Sequence, residues 1–301
     1  MSILLTGATG FVGRHLVNYD KIVRIAVRDK NVHRDWTCDR YIIDDLSGKT
    51  SWFGAFDGVN AVIHLAALAH SNRFSEEDYH RVNVEGTLHL AKQAVLSGVK
   101  RFVFVSSIGV HGSSCGESKF TPVSFCTPHN AYSQSKHEAE IGLLELARAT
   151  GLEIVIVRPT LVYGKNAPGN FGALVNLVNR SPFLPFGLAD NRRDFIAVQN
   201  LADLLVTCAT HSDASGHIFL ASDCETVSIK EFANAIAKGC DKHVAQLPIP
   251  VGLLRFVGKL LGQSNKVEQL FGNLEVDSSN TKLVLGWTPP LSMEQAMKLL
   301  R

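Results

Sequence analysis

The chain has almost no net charge, no run of lysine and arginine, no C-x-x-C pair and no apolar stretch long enough to cross a bilayer. Thirty basic residues against 28 acidic ones leave a formal charge of +2, which argues against a polyanion-binding surface and nucleic acid as a partner. The six cysteines (Cys38, Cys115, Cys126, Cys208, Cys224, Cys240) lie scattered, so neither a zinc site nor a disulfide framework is indicated and reduced thiols in a cytoplasm fit best. A strand pattern begins at residue 2, leaving no room for a signal peptide. The longest apolar stretch, Val251 to Gly262, is interrupted by Arg255 and Lys259 and falls short of the ~20 residues a spanning helix requires. Low-complexity segments and internal repeats are also absent.

What remains is the composition of an ordinary globular enzyme, 46% hydrophobic and 19% charged, spread over 301 residues. Short β-branched runs at Ile3–Leu5, Ile22–Val27, Tyr41–Ile43, Ala61–Leu65, Phe102–Val105 and Ile154–Val157 read as buried strands. Helical patterns lie between them, clearest over Asp78–Leu96 and Ala131–Ala149. This alternation predicts an α/β fold of Rossmann type, a doubly wound parallel sheet. After Arg158-Pro159 the pattern loosens into strand candidates at Phe195–Val198 and His217–Leu220 and helices at Leu201–Thr210, Ile229–Lys238, Val251–Leu261 and Met293–Leu300. Residues 1–165 are expected to form the dinucleotide-binding domain. Residues 166–301 are expected to form a smaller, mixed α/β substrate-binding lobe, with some segments returning to the first domain.

Thr6-Gly7-Ala8-Thr9-Gly10-Phe11-Val12-Gly13 lies between the first strand and the first helix, where a Rossmann fold sets a pyrophosphate against backbone N–H groups. Gly7 allows a tight turn, Gly10 lets backbone approach the phosphates, and Gly13 lets helix pack on sheet. The second strand ends Ala26-Val27-Arg28, where an acidic residue would hold the adenine-ribose hydroxyls of NAD. Arg28, helped by Arg14, suits a 2′-phosphate, so NADP(H) is favoured over NAD(H). In the alternative, Arg28 ends a strand in solvent and Asp29 takes the ribose.

Tyr132-Ser133-Gln134-Ser135-Lys136 places a phenol and an ammonium on one helix face, about 6 Å apart along the axis. At ~5 Å and an effective dielectric near 20, the attraction favours the phenolate by about 3 kcal/mol, roughly 2 pKa units. A tyrosine so placed exchanges protons near neutral pH. Upstream, the strand Phe102–Val105 runs into Ser106-Ser107-Ile108-Gly109-Val110-His111-Gly112, and ligands of open α/β sheets bind at such strand ends.

Glycine loop, serine strand end and Tyr-x-x-x-Lys, in this order, resemble an extended short-chain dehydrogenase/reductase of the branch that modifies nucleotide sugars. Further matches span essentially the whole chain: Asp45-Leu46, His64-Leu65-Ala66-Ala67, Asn83-Val84-Glu85-Gly86-Thr87, Arg158-Pro159-Thr160-Leu161-Val162-Tyr163-Gly164, Arg193-Asp194-Phe195-Ile196-Ala197-Val198 and Leu285-Gly286-Trp287-Thr288-Pro289. The resemblance implies that Ser107, five residues before Gly112, is the catalytic serine, with Tyr132 the proton donor or acceptor and Lys136 also a ligand of the nicotinamide ribose. It assigns the cofactor to Gly7, Thr9, Gly10, Phe11, Val12, Gly13, Arg14, Arg28, Asp45, Leu46, Leu65, Ala66, Ala67, Asn83, Ser106 and Pro159 as well. The substrate, a nucleotide-diphosphate sugar, falls to Ser107, the Asn170-Phe171 segment near the base, and Arg193 at the diphosphate. A surface ion pair of Arg193 with Asp190 or Asp194 is the alternative. Pairing through the two long helices into a homodimer is a further expectation from the resemblance.

Dehydrating members of this family carry an Asp-Glu pair after the catalytic hydroxyl. Here Ile108 and Gly109 stand there and neither transfers a proton, so dehydration and acid-assisted decarboxylation are disfavoured. A 4-epimerase or a 4-ketoreductase acting on a UDP-hexose or UDP-N-acetylhexosamine remains. Rivals are a reductase of a hydrophobic ketone using the same three residues, and a dinucleotide-binding protein without catalysis. His111 stands where a tyrosine is usual and Ala197 where a histidine often is; His111 and His64 read as structural hydrogen-bonders. In Val251–Leu261 the stripe Val251, Leu254, Val257 and Leu261, with Arg255 and Lys259 beside it, fits packing on its own lobe or contact with a membrane bearing lipid-linked sugars.

Overall fold

The computed structural model describes residues 1–29, 31, 36–69, 73–260 and 262–301, with the side chains of residues 265 and 266 left out. Its first half runs β1 (Ile3–Thr6), α1 (Gly13–Leu16), β2 (Ile22–Val27), β3 (Asp39–Ile42), β4 (Ala61–His64), α2 (Glu76–Tyr79), a π-helical turn (His80–Glu85), α3 (Gly86–Leu96), β5 (Arg101–Val105), a 3-10 turn (Ile108–Val110), α4 (Ala131–Thr150) and β6 (Glu153–Pro159). Then follow β7 (Leu161–Tyr163), α5 (Gly169–Arg180), β8 (Phe183–Leu184), β9 (Arg193–Ala197), α6 (Val198–Thr210) and β10 (Ile218–Ala221). The chain closes with β11 (Thr226–Val227), α7 (Ile229–Gly239), β12 (Ala245–Gln246), α8 (Val251–Leu260), α9 (Ser264–Phe271), α10 (Ser279–Leu285) and α11 (Met293–Lys298).

Seven strands pair in the order β10-β6-β5-β4-β1-β2-β3, every neighbouring pair parallel. The order reverses between β1 and β4, which is where an open α/β sheet leaves its ligand crevice. Alternation along the strands feeds two cores. Ile3, Leu5, Val103, Val105, Val155 and Val157 face a layer with Leu201, Leu205 and Trp287, whereas Leu4, Phe102, Phe104, Ile154 and Ile156 face one with Leu90, Ala91 and Leu143. Burial on both faces explains why these strands are continuous apolar runs. β3 departs from the buried strand expected at Tyr41–Ile43: it is the sheet edge, and Ile42 is 46% exposed.

The long helix expected over Asp78–Leu96 is continuous, but its middle turn is π-helical and carries Asn83. Such a turn widens the helix by one residue and recurs near functional sites. α4 begins with a capping box of Asn130 and Ser133 and ends at Gly151, whose φ of 75° suits a glycine. α3 and α4 touch at Gly142, where a Cβ would lie 2.7 Å from Leu88.

The second lobe gathers Tyr163, Phe171, Phe195, Phe232, Ile236 and Met297 into its own core. Phe195 and Phe232 stack with ring centres 3.7 Å apart. Its sheet is β11-β9-β7, while β10 returns to pair with β6 in the large sheet. α5, α9 and α10 carry no clear expectation from periodicity; the Val251–Leu261 prediction corresponds to α8, and Leu261 lies outside the described residues.

Candidate active site

The glycine loop closes tightly on itself. Gly10 N–H donates to Gly7 O at 3.0 Å, and a Cβ on Gly13 would stand 2.1 Å from that same oxygen. Gly7, at φ +74°, has no room for a Cβ either, since Ala66 N lies 2.7 Å from where it would be. The loop therefore abuts the Leu65-Ala66-Ala67 segment after β4. Phe11 and Val12 N–H groups meet no protein acceptor among the described residues, which fits a loop whose backbone holds an anionic group. Arg14 Nε donates to Thr9 O at 3.0 Å, bracing the loop. Phe11 packs against the second lobe.

Other residues assigned to the cofactor from sequence occupy varied surroundings. Arg28 is exposed at the end of β2 and forms no ion pair among the described residues, while Asp29 Oδ1 accepts from Asn31 N–H at 2.8 Å. Asp45 sits 3.6 Å from Arg81 and 3.3 Å from Ser47 Oγ; Leu46 is buried against Gly86. Asn83 is fully buried and engaged by protein: Oδ1 accepts from Leu68 N–H at 2.8 Å, and Nδ2 donates to Leu68 O at 3.2 Å and Ser135 Oγ at 3.0 Å. It clamps the segment after β4 onto α4. His64, also fully buried, lies 2.7 Å from Thr6 Oγ1 and 2.9 Å from Thr87 Oγ1, and burial followed by the Lys136 charge pulls its pKa down to about 3. It is a neutral cross-link between β1, β4 and α3.

Ser107, Tyr132, Pro159, Asn170 and Arg193 line one cleft of about 1090 Å³ between the strand ends and the second lobe. Ser107 caps the 3-10 turn, its Oγ accepting from Gly109 N–H at 3.1 Å. Tyr132 stands in the first turn of α4, edge-on to Tyr79 with ring centres 6.2 Å apart. Lys136 is buried one turn further on, its Nζ donating to Val105 O at 2.9 Å and lying 4.6 Å from the centre of the Phe104 ring. Desolvation lowers its pKa to about 7 against the partial opposition of Glu140.

The acidified phenol expected from the Tyr-x-x-x-Lys spacing is not what these surroundings produce. Burial, then the neighbouring Tyr79, pushes Tyr132 up to about 12. Desolvation disfavours the phenolate, and the same desolvation erodes the ammonium charge meant to stabilise it. In this arrangement Tyr132 is a protonated phenol, suited to donating to a developing alkoxide.

Beneath the cleft, Arg158 and Glu140 form a buried bidentate pair, Nε to Oε1 at 2.9 Å and Nη2 to Oε2 at 2.6 Å. Arg158 Nη1 also donates to His111 Nε2 at 2.8 Å, and His111 Nδ1 donates to Phe125 O at 3.1 Å, which fixes His111 as the neutral Nδ1–H tautomer. Burial holds its pKa below the ordinary imidazole value. Ser106, buried at the end of β5, faces Glu140 and helps keep it ionised without a hydrogen bond of ordinary geometry.

Arg193 is 7% exposed. Its Nη1 donates to Gly272 O at 2.7 Å, and neither Asp190 nor Asp194 pairs with it; Asp194 instead accepts from Thr226 and Val276. Burial lowers its pKa to about 10, and it keeps its charge at neutral pH without a carboxylate partner among the described residues. Asn170 Nδ2 donates to Gln269 Oε1 at 3.2 Å. Phe171, by contrast, is 2% exposed and belongs to the core of the second lobe, packed tilted on Tyr163 and edge-on to Phe232, so its side chain does not wall the cleft. Thr160, His129, Gln263 and Gln269 do, and none of them was assigned to the site from sequence. Thr160 was recoverable as the residue after the cleft-lining Pro159; the glutamines carry no signal apart from α9.

The description "NAD dependent epimerase/dehydratase family" matches residues 3–221. The chain belongs to that family. A UDP-glucose 4-epimerase of Vibrio cholerae is 41% identical over 99% of this chain and 93% of its own length. Among solved structures, the UDP-N-acetylglucosamine 4-epimerase from Bacillus cereus superposes with a TM-score of 0.80 at 18% identity, covering 100% of this chain and 98% of the other. The UDP-glucuronic acid 4-epimerase from Bacillus cereus, in complex with NAD, does so with a TM-score of 0.77 at 18% identity, covering 99% and 97%. Family and fold bring a pyridine-nucleotide site, and the glycine loop, with two amides that meet no acceptor among the described residues, fits one. No helix among the described residues is long and apolar enough to cross a membrane.

Proposed function

We propose that the chain transfers hydride at C4 of a UDP-hexose or UDP-N-acetylhexosamine, as a nucleotide-sugar 4-epimerase. The observation that carries this reading is the sharing of one cleft by a protonated phenol, a hydroxyl and a buried guanidinium that lacks a carboxylate partner among the described residues. Arg193 neutralises the diphosphate, where a buried cation meets two negative phosphates in place of water. Ser107 orients the sugar oxygen, and Tyr132 gives it a proton or takes one back. Lys136 holds the cofactor ribose and tunes the phenol. The glycine loop, with Arg14 bracing it, holds the pyrophosphate; Asp45 and Leu46 meet the adenine, and Leu65, Ala66 and Pro159 bound the nicotinamide end. The dinucleotide supplies the hydride exchange and, when oxidised, a positive charge that favours the phenolate. Identity of 41% with the Vibrio cholerae protein across 99% of the chain supports the epimerase outcome.

A second reading, 4-ketoreduction with NADPH, is favoured by one feature: Arg28 stands exposed and unpaired among the described residues where a 2′-phosphate would lie. The two readings part on cofactor retention, because an epimerase regenerates its dinucleotide and a reductase releases it spent. Denaturing the purified protein and identifying the released nucleotide, together with incubation of UDP-glucose or UDP-N-acetylglucosamine without added cofactor, tests both. Bound NAD with 4-epimer formation supports the first. An empty site that binds NADPH and reduces a 4-keto sugar supports the second. If no UDP-sugar is converted and UDP gives no thermal stabilisation, both fall and a hydrophobic ketone becomes the substrate to test.

A further inference from the structure

α8 is apolar on both sides. Its inner side is fully used: Val251 and Leu254 pack on the core of the second lobe, and Gly258 sits so close to Val267 that a Cβ would lie 2.4 Å from its methyl group. The stripe expected from sequence to include Val257 is thus narrower. A second stripe, Leu253, Phe256, Val257 and Leu260, lies at helical spacings of three and four and faces outward, with exposures of 51, 59, 43 and 71%. Leu247 just before the helix, 41% exposed, extends it. Soluble surfaces rarely assemble such a contiguous patch without using it.

The charges on α8 itself share one sign, Arg255 and Lys259, with no aspartate or glutamate on the helix. Lys259 is exposed on α8, and Arg255 pairs with Glu268 at 2.8 Å. The stripe also leads to the cleft: Gln263 N–H donates to Gly258 O at 2.7 Å, and Gly262 and Gln263 form part of the cleft wall.

We propose that α8 docks on an anionic lipid surface, its outward stripe sunk into the headgroup and acyl boundary and its cations against the lipid phosphates, with the cleft rim held beside the membrane. An apolar face flanked by basic residues is the pattern of a helix lying in the interface; Lys259 is exposed to meet lipid phosphate, while Arg255 is shared with Glu268 on α9. A second copy of this chain would be drawn by the apolar stripe but not by the one-sided charge.

The test is co-sedimentation of the full chain with vesicles of equal parts phosphatidylglycerol and phosphatidylcholine, against pure phosphatidylcholine. The wild type should pellet with the anionic vesicles at low salt, weakly with the neutral ones, and less in high salt. Phe256→Ser with Leu260→Ser should lower partitioning by at least ~10-fold while leaving the thermal midpoint and the rate of sugar turnover unchanged. A wild type that stays in the supernatant at low salt overturns the proposal, as does a double variant that pellets equally. If vesicles are ignored and the same variant instead dissociates a dimer in analytical ultracentrifugation, the stripe is a subunit interface and the lipid proposal fails.

Discussion

Replacing Glu140 with glutamine keeps the shape of the side chain and removes one charge from a pair whose members are only 2% and 4% exposed. Arg158 would stay cationic, since it holds its proton well above neutral pH, and would then be a buried charge with only neutral acceptors. Breaking a buried pair on one side costs about 3–5 kcal/mol, so the unfolding free energy from urea titration should fall by that amount. Removing both charges with Glu140→Leu and Arg158→Met should recover most of the loss, because the desolvation penalty goes with them; His111 loses a donor at about 1 kcal/mol. A functional trace accompanies the single variant. Glu140 raises the pKa of Lys136, so its loss lowers a value that stands at about 7. The ammonium is present below that pKa and lost above it, hence the alkaline limb of the activity profile should move to lower pH. A loss under ~1 kcal/mol with an unmoved limb would refute the view that this pair supports both fold and site.

Tyr132→Phe should leave cofactor affinity nearly intact and cut turnover ~100-fold or more, whereas Lys136→Ala should damage both, as read from kinetics and dinucleotide titration. Gly13→Ala puts a methyl group 2.1 Å from Gly7 O, a clash of backbone against backbone; dinucleotide affinity should drop at least ~10-fold in a thermal-shift titration, and unchanged affinity would count against the loop. His64 has a folded pKa of about 3 against an ordinary 6.5, so between those values the unfolded chain takes up the proton and stability falls as pH falls, by about 1.4 kcal/mol per unit. Asp223, raised to about 6, acts in the opposite direction between pH 6 and its ordinary 3.8, so the test compares urea midpoints of wild type and His64→Gln, and the variant should lack the His64 slope.

The large sheet was legible because β1, β4, β5 and most of β2 and β6 are buried and so appear as short apolar runs rich in β-branched residues. The edge strand β3 and the two-residue strands β8 and β12 carry no such pattern. The glycine loop and the Tyr-x-x-x-Lys pair are local in sequence, and they were found. What spacing conceals is desolvation. Tyr132 and Lys136 follow one another by a helical turn on α4, yet burial pushes the phenol up to about 12 and the ammonium down to about 7, both against the direction their mutual attraction would give. Phe171 was assigned to the substrate by its neighbour in a motif; on α5 it points into the core while Asn170, one residue earlier, reaches the cleft.

Hydrophobic packing alone does not fix the positions of these groups, since it is non-directional and tolerates small shifts. Three buried polar hubs add direction where the cleft needs it. Asn83 ties Leu68 to Ser135 on α4; Glu140, Arg158 and His111 join α4, β6 and the loop after β5; Asp223 accepts from Tyr163, Ala197 and Asn200 and so holds β7 and the start of α6 together. Each hub links segments distant in sequence, and two of them reach elements that carry Ser107, Tyr132 or Lys136. Directional bonds in a low-dielectric interior are costly to break and narrow in geometry. His111 extends such a hub to the carbonyl of Phe125, so an imidazole at this position secures the serine loop through hydrogen bonds to Arg158 on one side and backbone on the other. If Ser107 acts as proposed, His111 serves it by holding the loop that carries it, as a neutral imidazole bonded on both nitrogens.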